Sequence, residues 1–269
     1  MKKLAIAIIQ ARMSSSRLPG KVMMPLAGQP MIWHIVQRAR ACTLVDKVIV
    51  VTSVETSDDP LADFCKNSDI SYRRGNLQNV LSRFIDVLED DPHPYYVRIT
   101  GDCPLIDPGF IDQQIRALVA YDGDSAWTDP VSSVFSGQGV HSTRSLKKVA
   151  QSSNHPDDLE HVGARYFAEH PDEFRLIGIQ MPQYATGLTF RLTVDEADDF
   201  SLMDGLYKAL WQGPPISLQI ALEWLQKNPE TLSQNRNIVD SSINLELNKL
   251  NSKKKQFVEF SRDDSRDDH

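Results

Sequence analysis

Three short apolar runs, Leu4 to Ile9, Val48 to Thr52 and Tyr95 to Ile99, alternate with stretches of helical period, and this alternation restricts the fold more than any other feature. Uninterrupted apolar runs bounded by polar turns are what strands buried on both faces require. Pro30 suits the first position of a helix running to Arg40, with Met31, Ile32, Ile35 and Val36 on one face. Asp58 is placed to cap a second helix, with Pro60 in its first turn and Leu61, Phe64 and Cys65 as its buried stripe. A third helix fits Asn79 to Glu89, burying Val80, Leu81, Phe84, Ile85 and Leu88. Strand, helix, strand, helix predicts an α/β, doubly wound, mostly parallel Rossmann-like sheet.

The middle is less regular. Pro130, Gly137, Gly139 and several serines predict a small irregular β insertion over about 127–145 that leaves the main sheet and returns. Beyond it, the pattern predicts a helix over 157–170, strands at 174–179 and 190–194, and helices over 197–210 and 216–228. One domain is expected over 1–240, followed by a polar, solvated tail over 241–269 containing Lys253-Lys254-Lys255.

Across 269 residues the formal charge is −7, which argues against a general nucleic-acid binder. Cys42, Cys65 and Cys103 are far apart and odd in number, as expected of packing residues in a reducing cytosol. No stretch approaches the roughly 20 apolar residues of a bilayer span. The N-terminal apolar run is too short for an export signal, so a cytoplasmic location is expected.

The first apolar run opens into Arg12-Met13-Ser14-Ser15-Ser16-Arg17-Leu18-Pro19-Gly20-Lys21. Three cations, three hydroxyls and a Pro-Gly turn after a buried strand read as a clamp for a polyanion, with a triphosphate the natural guest. Neither familiar phosphate loop is present. Ser15 stands where G-x-x-x-x-G-K-[ST] needs its first glycine, Val22 stands where it needs a hydroxyl, and no G-x-G-x-x-G follows the strand.

Two acidic positions follow strand ends. Asp102 leaves the run Val97 to Thr100 at the sheet edge that holds ligands, and Gly101 leaves room for a nucleotide to approach the backbone. Asp195 ends the segment Arg191-Leu192-Thr193-Val194. Mg²⁺ at a nucleotide is held by one or two carboxylates, and Asp102 and Asp195 are the natural pair. Helix capping is the competing use of Asp102 and the favoured one for Asp107, while Glu196, Asp198 and Asp199 suit a helix first turn.

Together, Ala11-Arg12-x-x-Ser15-x-Arg17-Leu-Pro-Gly-Lys21, Arg98-x-Thr-Gly101-Asp102-Cys-Pro and Thr193-Val-Asp195 resemble the cytidylyltransferases that make CMP-activated acidic sugars. The closest branch is the spore-coat-polysaccharide type, related to the CMP-Kdo synthetases. Gly75 with Val80-Leu81-x-Arg83-Phe84, and Glu160-His161-Val162, extend the likeness over about residues 3–240.

The resemblance implies a nucleotidyltransferase fold of the GT-A type, CTP as donor, an anionic sugar-like acceptor, Mg²⁺ on Asp102 and Asp195, and a homodimer formed through the middle region, where Trp127, Val131, Val134 and Phe135 are the apolar contacts available. It matches Arg12 and Lys21 to the phosphate-binding cations, with Ala11, Ser15, Arg17, Gly75 and Gly101 around the nucleotide. Arg98 matches a strand-end arginine near the site, with a structural salt bridge as the competing use. Glu160 and His161 match an acceptor-side pair, although Glu160 also suits a capping box begun by Asp157. The chain departs from the branch at Gly137-Gln138-Gly139-Val140-His141, where carboxylates usually stand at the third and fifth places, so His141 is a candidate for the acceptor side. A nucleotide-sugar glycosyltransferase of similar fold would need D-x-D, which Asp102-Cys103-Pro104 does not provide. A non-catalytic nucleotide-binding protein would be expected to have lost site charges that are all present.

Overall fold

Ala5–Gln10 forms β1, the strand at the centre of the site. In the computed structural model, which describes residues 3–129, 132–188 and 190–232, β1 lies between β4 (Val45–Ser53) and β6 (Tyr95–Thr100) and is parallel to both. All three expected apolar runs are therefore central strands, and their side chains fill cores on both faces. Ala5, Ala7 and Ile9 face one core, and Ile6, Ile8 and Val51 face the other. A two-residue hairpin of β2 (Pro25–Leu26) and β3 (Gln29–Pro30) precedes α1 (Met31–Arg40), so Pro30 is the residue before the helix, held in β3. After β4 come α2 (Asp59–Asn67), β5 (Tyr72–Gly75) and α3 (Val80–Asp90), the last capped by the Asn79 side chain accepting from Ser82 N.

The sheet has seven strands in the order β5-β4-β1-β6-β8-β7-β9, with β7 Ser125–Asp129, β8 Gln138–Ser142 and β9 Leu176–Gln180. The expected β insertion is corrected here. Both strands of the middle region belong to the main sheet, β8 running antiparallel between β6 and β7. Val134 and Phe135, expected as dimer contacts, are buried within this chain, and Trp127 packs against the second core. Val131 lies outside the described residues.

α4 (Pro108–Tyr121) joins β6 to β7, and Asp107 caps it as expected by accepting from Gly109 N and Phe110 N. α5 (Thr143–Ser152) follows β8. The helix expected over 157–170 is two, α6 (Pro156–Glu160) and α7 (Ala164–Glu169), because Val162 and Gly163 both take positive φ, 55° and 79°. A β-branched residue rarely adopts that conformation. Val162 is held there by burial in the second core, and a Cβ on Gly163 would meet Val149 Cγ1 at 2.7 Å. His155 caps α6 and Asp157 sits inside its first turn, so Glu160 belongs to no capping box begun at Asp157.

Residues 190–194 form no strand; Val194 N instead donates to Asp102 O at 2.8 Å. α8 (Ala197–Leu210), α9 (Leu218–Lys227) and α10 (Pro229–Leu232) close the described chain. The expected boundary at 240 and the tail lie outside the described residues. Among the described residues, no helix is long and apolar enough to cross a membrane, and all three cysteines are buried and free.

Candidate active site at the carboxyl edge of the sheet

The loop after β1 is organised around the backbone of Met13. Its carbonyl accepts from Ser15 N and Gly20 N, and its N–H donates to Asp58 Oδ1 at 2.7 Å. Gly20 takes φ 75°, a left-handed turn that favours glycine, and starts the short 3₁₀ turn Lys21–Met23. Lys21 is thereby turned inward and is only 7% exposed.

Asp58, expected as a helix cap, makes no cap bond to α2. It is fully buried and receives Met13 N, Ser53 N and Ser53 Oγ. Burial raises its pKa, but the hydrogen bonds from Ser53 and Met13 outweigh this and hold it below the usual value. Its loop-fastening role was missed because a partner 45 residues away leaves no local pattern.

Gly101 has a further reason to be glycine besides lining the cleft. A Cβ there would meet Ala11 Cβ at 2.8 Å and Gln10 O at 3.0 Å, so the glycine is required by the close approach of the loop after β1, and Gly101 N donates to Gln10 O. The next residue, Asp102, holds Val194 N through its carbonyl, and Cys103 Sγ lies 3.5 Å from Thr193 Oγ1. These contacts lay 193–195 beside the end of β6.

The result is a three-way ion pair. Lys21 Nζ donates to Asp102 Oδ2 at 2.8 Å, Val194 O at 2.8 Å and Asp195 Oδ1 at 2.9 Å. Asp195 is also paired with Arg17 at 2.9 Å and Arg191 at 2.6 Å. Its turn is fixed from below by buried Asp199, which accepts from Asp195 N and Glu196 N and pairs with Arg191. Asp199 therefore does more than favour a helix dipole. Burial opposes the charges on Lys21 and Asp195, yet their attraction prevails, raising the lysine pKa and lowering the aspartate. Asp195 also feels Arg17 and Arg191. Lys21 thus stabilises the site fully below its unfolded value near 10.5, the contribution fading as pH rises through its higher folded value. Asp195 contributes above 3.8 and loses its contribution as pH falls through its lower folded value.

These groups line a cleft of about 520 Å³ together with Ala11, Arg12, Ser15, Arg17, Arg83, Arg98, Gly101, Trp127, Glu160 and His161. Arg12 bridges the cleft to Glu160 at 3.1 Å, and Arg98 Nε donates to Gln10 Oε1 at 3.0 Å. Two of the expected site residues lie elsewhere. Gly75 ends β5 where a Cβ would meet Arg83 Cγ at 2.7 Å, so it makes room for an arginine. His141 is stacked between Tyr96 and Phe167, beside Ser125 Oγ, and is not in the cleft lining. Burial, helped by Arg98, pushes its pKa down to about 3, so it stays neutral.

Arg83 stands in the α3 motif Val80-Leu81-x-Arg83-Phe84. It is 2% exposed, its Nε has no hydrogen-bond partner among the described residues, and Nη1 is 3.5 Å from Val51 O. Burial pushes its pKa down to about 10 despite the attraction of Asp58, and Arg12 adds repulsion. A charge at the core-facing position between Val80 and Val87 was the signal that could have flagged it.

Comparison with known proteins places the chain in a family. A Bacillus subtilis spore coat polysaccharide biosynthesis protein, SpsF, is 29% identical over 231 residues, covering 84% of this chain and 96% of that protein. A 3-deoxy-manno-octulosonate cytidylyltransferase of Geobacter metallireducens is 33% identical over 114 residues, 42% of this chain and 44% of that one. A solved cytidylyltransferase structure from Leptospira borgpetersenii superposes with a TM-score of 0.79 at 25% identity, covering 89% of this chain and all of that one. The cytidylyltransferase family profile matches residues 6–251, and the chain belongs to that family of nucleotidyltransferases.

Proposed function

We propose that this chain transfers CMP from CTP to an oxygen of an anionic, sugar-like acceptor and releases pyrophosphate. The convergence of Lys21, Asp102 and Asp195 beneath Arg12 and Arg17 carries the reading, and the sugar-acid acceptor is taken from the Geobacter relative's name. The acceptor oxygen attacks the α-phosphorus in line, the bond to the β-phosphate breaks, and the acceptor's proton passes to solvent. Arg12, Arg17 and Lys21 offset the charge that develops on the leaving pyrophosphate. The ordered backbone around Met13 positions the triphosphate before reaction.

Asp102 and Asp195 suit Mg²⁺: two carboxylates and the Val194 carbonyl converge on one point, which Lys21 Nζ occupies. A site of one or two carboxylates completed by phosphate oxygens is the usual arrangement for this ion. When bound, it would neutralise phosphate charge. Asp102 and Asp195 would hold the ion, and Lys21 would then be available to pair with phosphate oxygens.

Pyrophosphate release tests the reading, with CTP, UTP, GTP and ATP scanned against sugar acids, sugar phosphates and phosphonates. Release with CTP and an acidic acceptor, lost in Asp102→Asn, is expected; release with another nucleotide alone would refute the assignment. Arg83 adds a second test. Removing a buried charge that lacks an ion pair is neutral or stabilising for the fold. Arg83→Met should therefore melt no lower than wild type while its KM for CTP rises about tenfold; a lower Tm with unchanged KM would make the arginine structural.

A further inference from the structure

Beyond Arg98, one row of side-chain positions crosses three strands. Arg98 on β6 is paired with Gly139 on β8, and the register set by Ser125 and His141 puts Trp127 of β7 on the other side of Gly139. Positions in one row share a face, here that of Ile6, Ile8 and Tyr96. With strands about 4.8 Å apart, Arg98 and Trp127 start roughly 10 Å from each other, separated by a residue without a side chain. Both line the cleft.

Three observations give this row its chemistry. The Trp127 indole Nε1 is buried and lacks a hydrogen-bond partner among the described residues, a state that is costly unless a ligand or water accepts from it. Arg98 brings a full charge with its plane fixed through Gln10. His141 Nε2 lies 3.0 Å from where a Gly139 Cβ would be, on a ring whose stacking and burial keep it neutral.

We infer that Arg98 and Trp127, across the notch left by Gly139, form the subsite that binds a carboxylate of the second substrate. The inference rests on the proposed function in placing an anionic acceptor in this cleft. A carboxylate accepts from two donors at once and is strengthened by the guanidinium charge. Gly139 is then a specificity residue, because an acidic side chain there would occupy the notch and satisfy the same donors from within.

The four tryptophans give a direct readout by ¹⁵N-indole NMR of the full chain, with the Trp127 signal identified by Trp127→Phe. Gluconate and 3-deoxy-manno-octulosonate, added with CTP present, should shift that signal saturably, while neutral gluconamide should not. Trp127→Phe should raise the acceptor KM about tenfold or more and leave the KM for CTP within twofold. Gly139→Asp should move the Trp127 signal without ligand and abolish its response to gluconate.

Equal shifts with gluconamide, no shift with any carboxylate, or a larger shift with inorganic phosphate than with gluconate would overturn the subsite. A still Trp127 signal in protein that turns over an acid overturns it too, and leaves the proposed function standing. A shifting signal in protein that releases no pyrophosphate from CTP does the reverse.

Discussion

Lys21→Ala is expected to lower turnover with CTP by about a hundredfold to a thousandfold, the usual loss when a main electrostatic stabiliser is removed from a transition state. The same substitution should strengthen metal binding in the absence of nucleotide. Its ammonium fills the bay between Asp102 and Asp195, and on the proposed Mg²⁺ site a divalent cation would have to displace it. Mn²⁺ titration followed by electron paramagnetic resonance separates the two effects: tighter Mn²⁺ binding by nucleotide-free Lys21→Ala, with turnover nearly gone, is the expected pair of results. Turnover within tenfold of wild type would show that the lysine is a structural counter-ion alone. Because the two carboxylates hold the Lys21 pKa above 10.5, no loss of activity from its deprotonation is expected between pH 6 and about 10.

Asp58→Ala should cost about 3 kcal/mol of stability, although Asp58 touches no substrate. It leaves Met13 N and Ser53 N, both held by one buried carboxylate, without their acceptor, and each unsatisfied buried donor costs about 1–3 kcal/mol. For a domain of this size the melting temperature falls by roughly 6–12 °C. Met13 is also the hub that Ser15 and Gly20 bond to, so the loop loses its fixed shape and the KM for CTP rises with the instability. Asp58→Asn, which keeps one accepting oxygen for Met13, should fall between the two. A variant that melts early yet binds CTP normally would show that the loop is shaped without this anchor.

Features governed by local pattern were legible in the amino-acid sequence. The apolar runs that became β1, β4 and β6 had to be buried on both faces, and α8 begins and ends at its expected residues, Ala197 and Leu210. The loop from Arg12 to Lys21 follows β1 and Asp102 follows β6, and charge at a strand end has few structural uses, whereas Asp195 follows no strand. What stayed hidden depends on distant partners. Nothing near Gln138 announces that β8 inserts antiparallel between β6 and β7. Val162 reads as a helix interior until burial forces it to positive φ. His141 is a site candidate only because it stands where the resembled branch carries a carboxylate, whereas Tyr96 and Phe167 make it a packing ring.

The bond between Lys21 and Asp195 spans 174 positions. At the usual 5–20 residues per second of synthesis, roughly 10–35 s separate the emergence of its two ends from the ribosome. Throughout that interval Lys21 has no Asp195 to meet it. Premature termination anywhere before Asp195 therefore yields a product that lacks part of this centre.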